Sequence, residues 1–202
     1  MPKIGMEPLR RKALVDAALK TIGHHGSLSV TMSEIAREAG VSAALAHHYF
    51  GSKDQLLIET IRSLLRQLKA DAVLALAEAR TPRERISAVI RISFQADQFA
   101  SDVVAAWLAF YSEAQRSEEV RRLLALYARR LHSNLMSGLR PLCGPEAGRI
   151  ADGAAAMIDG LYIRQSLKAA PLSIDASVAL VEDYVAGQLQ AASAETIAPH
   201  PT

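Results

Sequence analysis

The chain has 202 residues, half of them apolar and 22% charged, enough to bury a core in one domain or in a small module joined to a larger one. Its single cysteine, Cys143, excludes an intrachain disulfide framework and suits a reducing compartment. The opening "MPKIGMEPLRR" lacks the apolar run of a secretory signal, and no stretch reaches the ~18 uninterrupted apolar residues of a membrane span, so a soluble cytoplasmic protein is expected.

Net charge is only +2, but it is unevenly spread. Residues 1–69 carry ten Lys/Arg against six Asp/Glu, and the remainder thirteen against fifteen. A basic small module before a mildly acidic larger one points to a polyanion partner.

Ala, Leu, Glu, Arg and Gln dominate and strand-like runs are nearly absent, which predicts an all-α fold. "PLRRKALVDAALKTIG" starts near Pro8, places Leu14, Ala18, Leu19 and Ile22 on one face, and is stopped by Gly23 and Gly26. "TMSEIAREAG" opens with Thr31 and Glu34 at capping-box spacing, buries Ile35 and Ala39, and ends at Gly40. Ser42 caps a second short helix over 43–49, and a long helix follows from about Ser52. "TPRERISAVIRISFQADQF" restarts after a Thr-Pro break. Further helices are "SDVVAAWLAFYSEAQ", "SEEVRRLLALYARRLHSNLMSGL" ended by Gly138 and Pro141, residues 145–168, and "DASVALVEDYVAGQL" after Pro171 and Ser173. Residues 193–202 read as a flexible tail.

Two short helices joined by a Gly-containing turn suggest a helix-turn-helix, in which the second helix enters the major groove. Three features favour this over an ordinary helical hairpin. Ala43, Ala44, Ala46, His47 and His48 leave a compact exposed face. Arg10, Arg11 and Lys12 fall in a first helical turn, where cations oppose the dipole and an anionic partner relieves them. Lys53 falls at the start of the long helix, where free backbone N–H groups attract phosphate.

The histidine pairs His24-His25 and His47-His48 invite a metal reading. Adjacent helical residues point about 100° apart, whereas helical zinc pairs use i, i+4 spacing. No metal, no cofactor and no catalytic residue is therefore expected, and the chain has no nucleophile motif, phosphate loop or paired-carboxylate signature. A protonated His24 or His25 suits a helix C-terminus. A metal-binding or enzymatic bundle and a non-DNA adaptor are the competing readings.

"TMSEIAREAGVSAALAHHYFGSKDQLL" resembles the signature of TetR-type repressors, T-x-x-x-I-A-x-x-A-G-V-S followed by an aromatic pair and S-K-x-x-L. The resemblance covers residues 8–68. It implies an N-terminal three-helix DNA-binding domain at 8–68 with its motif at 31–50, and a C-terminal ligand-binding and dimerisation domain at 69–192. Beyond that signature, "MPKIGMEPLRR", "WLAFYSEAQRSEEVRRLLALYARRLHSNL" and "IDGLYIRQSL" resemble the choline-responsive branch of the family. That likeness implies repression of genes for choline-to-glycine-betaine synthesis and choline uptake, relieved by choline. The rival within the family is a repressor with a different inducer. Ala44 stands where the family usually has Gly, Ala46 where a larger aliphatic is common, and His47 where Ser or Tyr is usual. These departures bear on the operator sequence.

On this resemblance Arg10, Arg11, Thr31, Ser42, Ala43, Ala44, His47, His48, Tyr49 and Lys53 face double-stranded DNA. Ala43, Ala44 and His47 would meet base edges, and alanine methyls can contact thymine methyls. Ser42, His48, Tyr49 and Lys53 would meet phosphate. Leu45 and Phe50 are expected in the core.

A quaternary ammonium effector needs aromatic faces and a nearby carboxylate. Aromatics are scarce, so the candidates are few: Phe94, Asp97, Trp107, Phe110, Tyr111, Glu113, Asp159 and Tyr162. Simple core packing is the alternative for any of the rings. A homodimer is expected to pair the small-faced helix holding Gly153, Ala154, Ala156, Met157 and Gly160 with the stripe Val178, Val181, Val185 and Leu189. Two reading helices one DNA turn apart would then bind a palindromic operator.

Overall fold

The computed structural model describes residues 5–167 and 172–197. The described residues are helical and contain no strand. The helices are α1 Met6–His25, α2 Met32–Glu38, α3 Ala43–Phe50, α4 Lys53–Glu78, α5 Pro82–Ser93, α6 Ser101–Glu113, α7 Glu118–Cys143, α8 Ala147–Ser166 and α9 Ile174–Ile197, with one 3-10 turn at Gly144–Glu146.

Side-chain caps set the starts. Thr31 Oγ1 accepts from the Glu34 N–H at 3.2 Å, and Glu34 Oε2 accepts from the Thr31 N–H at 2.7 Å. Thr81 and Glu84 repeat this reciprocal box at the head of α5, where Pro82 needs no partner for a missing N–H. The Ser42 and Ser52 hydroxyls accept from Leu45 N–H and Gln55 N–H, each at 3.2 Å.

The expected stops fared less well. Gly23 does not end α1, which runs on to His25. Gly26 ends it in the left-handed conformation, φ 62°, and returns its N–H to the Ile22 carbonyl at 2.8 Å. Gly23 instead marks where α1 meets α6: a Cβ there would lie 2.5 Å from both Cβ and O of Asp102. Likewise α7 passes Gly138 and Pro141 and ends at Cys143. A Cβ on Gly138 would lie 2.6 Å from the Pro82 carbonyl oxygen. Pro141 falls in the last turn, where its missing N–H removes the one ladder bond that would run to the Ser137 carbonyl. α9 continues to Ile197, into the segment expected to be a tail. Residues 198–202, Lys168 and Pro171 lie outside the described residues.

The chain forms two compact units, one from residues 1–67 with 100–125, the other from 68–99 with 126–202. Of the three boundaries, two fall inside helices, α4 and α7, and the third lies just before α6. In the first unit α1 packs along α6 and against α2, and α2 against α3. Its wholly buried side chains include Leu14, Ile22, Ile35, Leu56, Ile61 and Phe110. In the second unit α9 packs against α8 and α5, around Ile90, Phe94, Leu135, Leu139, Ile150 and Ile158.

The valine stripe of α9 corrects the interface expectation. Val178, Val181, Val185 and Leu189 are all buried within this one chain, at 5% exposure or less. The stripe is taken up by α8 and α5, the helices that α9 packs against within the chain. Ala154 on α8 is also wholly buried within the chain. The outward faces of these helices carry other side chains: Ile163 and Leu180 are 49% and 45% exposed.

Candidate nucleic-acid interface and ligand site

α2 and α3 are joined by a tight turn. Gly40 adopts φ +67°, a region that favours glycine, and Val41 N–H returns to the Ala36 carbonyl at 2.9 Å. α3 then buries Ala46 and Phe50 and turns Ala44, His47 and His48 to solvent, with Ala43 and Tyr49 half-buried. Ala46 corrects the expected exposed set: it is fully buried. Positions 46 and 50 lie one turn apart on the core side, and 43, 44, 47 and 48 share the other face. Leu45, expected in the core, is half-buried.

The flanking polar residues are partly committed within the protein. Helix α1 begins at Met6, so Arg10, Arg11 and Lys12 lie in its second turn, and the first turn carries Glu7 instead. Contrary to expectation, these cations therefore do not sit against the positive end of the α1 dipole. Arg11 Nε donates to Glu7 at 2.9 Å, and its guanidinium lies 5.5 Å from the Tyr49 ring and 5.2 Å from the Phe50 ring, bracing the end of α3. Arg10 is exposed. Thr31 Oγ1 donates its proton to Glu34 Oε2 at 2.8 Å, so its hydroxyl serves the cap. Lys53, in the first turn of α4, donates to the Leu28 carbonyl at 3.3 Å and so ties the α1–α2 loop to α4.

His47 Nδ1 lies 3.0 Å from the Gly51 carbonyl oxygen. The His24-His25 pair occupies the last turn of α1, with His25 Nε2 4.0 Å from Glu34 Oε1. No group of three His, Cys, Asp or Glu among the described residues could hold a metal ion. No helix among them is long and apolar enough to cross a membrane.

Glu34 carries a pH signature. The Thr31 backbone N–H, then the Thr31 hydroxyl, bond its carboxylate and hold its pKa below the ordinary 4.5. A depressed folded value stabilises above the unfolded value and loses that contribution as pH falls through the folded value. Acidifying below about 4.5 is thus expected to lower the melting temperature of the wild type more than that of Glu34→Gln. Parallel thermal melts from pH 6 to pH 3 check this, and equal slopes would refute it.

In the second unit three rings meet. Phe94 and Tyr162 stack with centroids 6.1 Å apart, and Phe99 meets both edge-on at 5.4 and 5.5 Å. The Tyr162 hydroxyl donates to the Ser93 carbonyl. Its pKa is raised, first by burial and then by the negative charges of Asp159 and Asp97. Four of the eight expected ligand residues therefore share one neighbourhood: Phe94, Asp97, Asp159 and Tyr162. Tyr127 joins them, donating to Asp159 Oδ1 at 3.3 Å. Phe99 and Tyr127 were not picked out from sequence, since neither lies at helical spacing from the others. Trp107, Phe110, Tyr111 and Glu113 belong to the first unit, where Trp107 and Tyr111 have centroids 6.2 Å apart and Phe110 is fully buried. Phe110 and Glu113 line a cavity of about 290 Å³ with Leu28 and Lys53. A further cavity of about 380 Å³ in the second unit is lined by Phe99, Leu161, Arg164, Gln165 and Ser177 among others.

A helix-turn-helix with a small-faced second helix, followed by a helical unit with a ring-and-carboxylate cluster, is the build of a DNA-binding transcriptional regulator. Residues 14–60 match the bacterial regulatory proteins of the tetR family, and residues 82–190 match the BetI-type transcriptional repressor C-terminal family. The HTH-type transcriptional regulator BetI of Rhizobium meliloti is 75% identical over 192 residues, 95% of each chain. The regulator of the same name from Agrobacterium fabrum is 72% identical, over 94% of this chain and 93% of that one. Among solved structures, a transcriptional regulator from Pseudomonas aeruginosa superposes with TM-score 0.79 at 26% identity, covering 93% of this chain and 94% of that one. A regulator from Saccharomonospora viridis, solved in complex with choline, gives TM-score 0.75 at 22% identity over 87% and 95%. The chain belongs to the TetR family, with a C-terminal region of the BetI repressor type, and is a transcriptional regulator rather than an enzyme.

Proposed function

We propose that this regulator represses genes for choline-to-glycine-betaine synthesis and choline uptake, and that choline releases it from its operator. The carrying observation is the cluster of Phe94, Phe99 and Tyr162 with Asp97 and Asp159 close enough to act on the Tyr162 hydroxyl. Ring faces and carboxylates together suit a quaternary ammonium. The choline complex of the Saccharomonospora viridis regulator supports the same ligand class. Choline would select a conformation with weaker DNA affinity.

The repressor acts in the cytoplasm as a homodimer on a palindromic operator. The outward faces of α8 and α9, with Ile163 and Leu180, suit the pairing. Ala43, Ala44 and His47 read base edges, while Arg10, Ser42, His48, Tyr49 and the remaining donors of Lys53 hold phosphate. Arg11 and Thr31 support that surface through the contacts they already make. Trp107, Phe110, Tyr111 and Glu113 then serve the first unit rather than the ammonium.

Titrating choline into the complex with upstream DNA tests this. Wild type is expected to dissociate, and Asp159→Asn is expected to need roughly tenfold more choline or beyond, with choline-free affinity unchanged. The second reading, a different inducer, draws on Arg164 in the 380 Å³ cavity, since a cation there disfavours an ammonium ligand. Failure of choline alongside release by an anionic or neutral compound would establish that reading instead.

A further inference from the structure

We propose that His47 acts as a hydrogen-bond acceptor in the major groove, so that it selects an exocyclic amine, cytosine N4 or adenine N6, at one position of each half-site. The assignment rests on α3 being the reading helix. Its basis is the partner that His47 has inside the protein. Nδ1 lies 3.0 Å from the carbonyl oxygen of Gly51. A carbonyl oxygen only accepts, so the hydrogen in this bond belongs to Nδ1. A neutral imidazole carries one N–H, so Nε2 holds the lone pair.

The ring is held by a reciprocal arrangement. Gly51 N–H donates to the His47 carbonyl at 2.7 Å while Gly51 O receives the His47 side chain. Gly51 adopts φ +72°, which lets its carbonyl turn back toward the helix and favours glycine there. The rest of the imidazole is exposed, on the same face as Ala43 and Ala44. Those two offer only methyl groups. Of the three residues assigned to base edges, Ala43, Ala44 and His47, only His47 brings a polar side chain, and its outward acceptor is Nε2.

In the major groove, guanine shows N7 and O6 and thymine shows O4, all acceptors, whereas cytosine N4 donates and adenine offers the N6 donor beside its N7 acceptor. An acceptor at Nε2 pairs with the second set and is repelled by the first. Arginine and lysine, the commonest base readers, have the opposite preference, because they only donate.

The test uses the full-length protein and its operator at pH 8. A single-base scan locates a position in each half-site where wild type prefers cytosine or adenine over guanine and thymine. Deleting the amine there, with 2-pyrimidinone for cytosine or purine for adenine, is expected to weaken wild type roughly fivefold to thirtyfold. His47→Ala should lose a similar factor on the intact site and become indifferent to the deletion. His47→Gln, which can still accept at the Nε2 position, should retain the preference. Whichever analogue shows the coupling names the base. Coupling of His47 to guanine or thymine would overturn the assignment. So would a loss in His47→Ala that is uniform across bases and matched by neutralising one phosphate as a methylphosphonate. If wild type binds no operator at all, the DNA-reading role of α3 fails first, and this assignment falls with it.

Discussion

Replacing Ala44 with glutamate is expected to lower operator affinity roughly a hundredfold while the protein stays folded. Ala44 is exposed on the outward face of α3, and its side chain carries none of the core. A glutamate there brings a negative charge against a polyanion, and like-charge juxtaposition at an interface costs about 3 kcal/mol or more, which is about two decades of affinity. The neighbouring Ala46 provides the contrast. It is fully buried, so Ala46→Glu would place a carboxylate among apolar atoms and unfold the N-terminal helices. Gel-shift titrations with circular dichroism distinguish the two. Tight operator binding by a folded Ala44→Glu protein would show that α3 is not the reading helix.

Gly23→Ala is expected to destabilise the protein by about 3 kcal/mol, the upper end for overpacking, and to lower its melting temperature by roughly 6–12 °C. The added Cβ would fall 2.5 Å from the Cβ and carbonyl oxygen of Asp102 and 2.6 Å from its Cα. Backbone atoms at the head of α6 cannot swing away as a flexible side-chain tip can, so α1 and α6 must separate. Gly148→Ala is the control: nothing lies within 4 Å of its added Cβ, and alanine is favoured over glycine in a helix by about 1 kcal/mol. A melting point for Gly23→Ala equal to wild type would mean that α1 does not approach α6 so closely.

Helix starts marked by a capping side chain were legible from sequence, whereas the α1 start was not and helix ends were legible only at Gly26 and Gly40. A cap is a side-chain oxygen at fixed spacing from the N–H it satisfies, and Thr31, Ser42, Ser52 and Thr81 all make that bond. A glycine has two meanings that the chain alone does not separate. Gly26 is a left-handed terminator, whereas Gly23 and Gly138 are mid-helix gaps cut for a neighbour distant in sequence. The α9 stripe shows the same limit: periodicity revealed an apolar face at Val178, Val181, Val185 and Leu189, but not that the partner was the same chain.

The two sites differ in the same way. Everything around α3 is local, so turn, cap and exposed residues could be read directly, apart from Ala46, which is buried, and Leu45, which is only half-buried. The ring cluster gathers Phe94, Phe99, Tyr127, Asp159 and Tyr162 from three stretches of chain. Spacing within one helix cannot announce such a meeting, so nothing in the sequence marks Phe99 and Tyr127 as members. The internal bonds of Arg11 and Lys53 were equally invisible, since charge patterning counts cations without showing what they already hold.

The unit that carries α2 and α3 is assembled from two separate stretches, 1–67 and 100–125, because α1 lies along α6. A gene fusion that grafts residues 1–67 onto another repressor's sensing half would leave Gly23 facing a foreign residue in place of Asp102. Operator swapping between relatives therefore has to carry α6 as well as the helix-turn-helix. Natural recombination with a single crossover inside α4 would be expected to yield sound hybrids only among chains that share that α1–α6 seam.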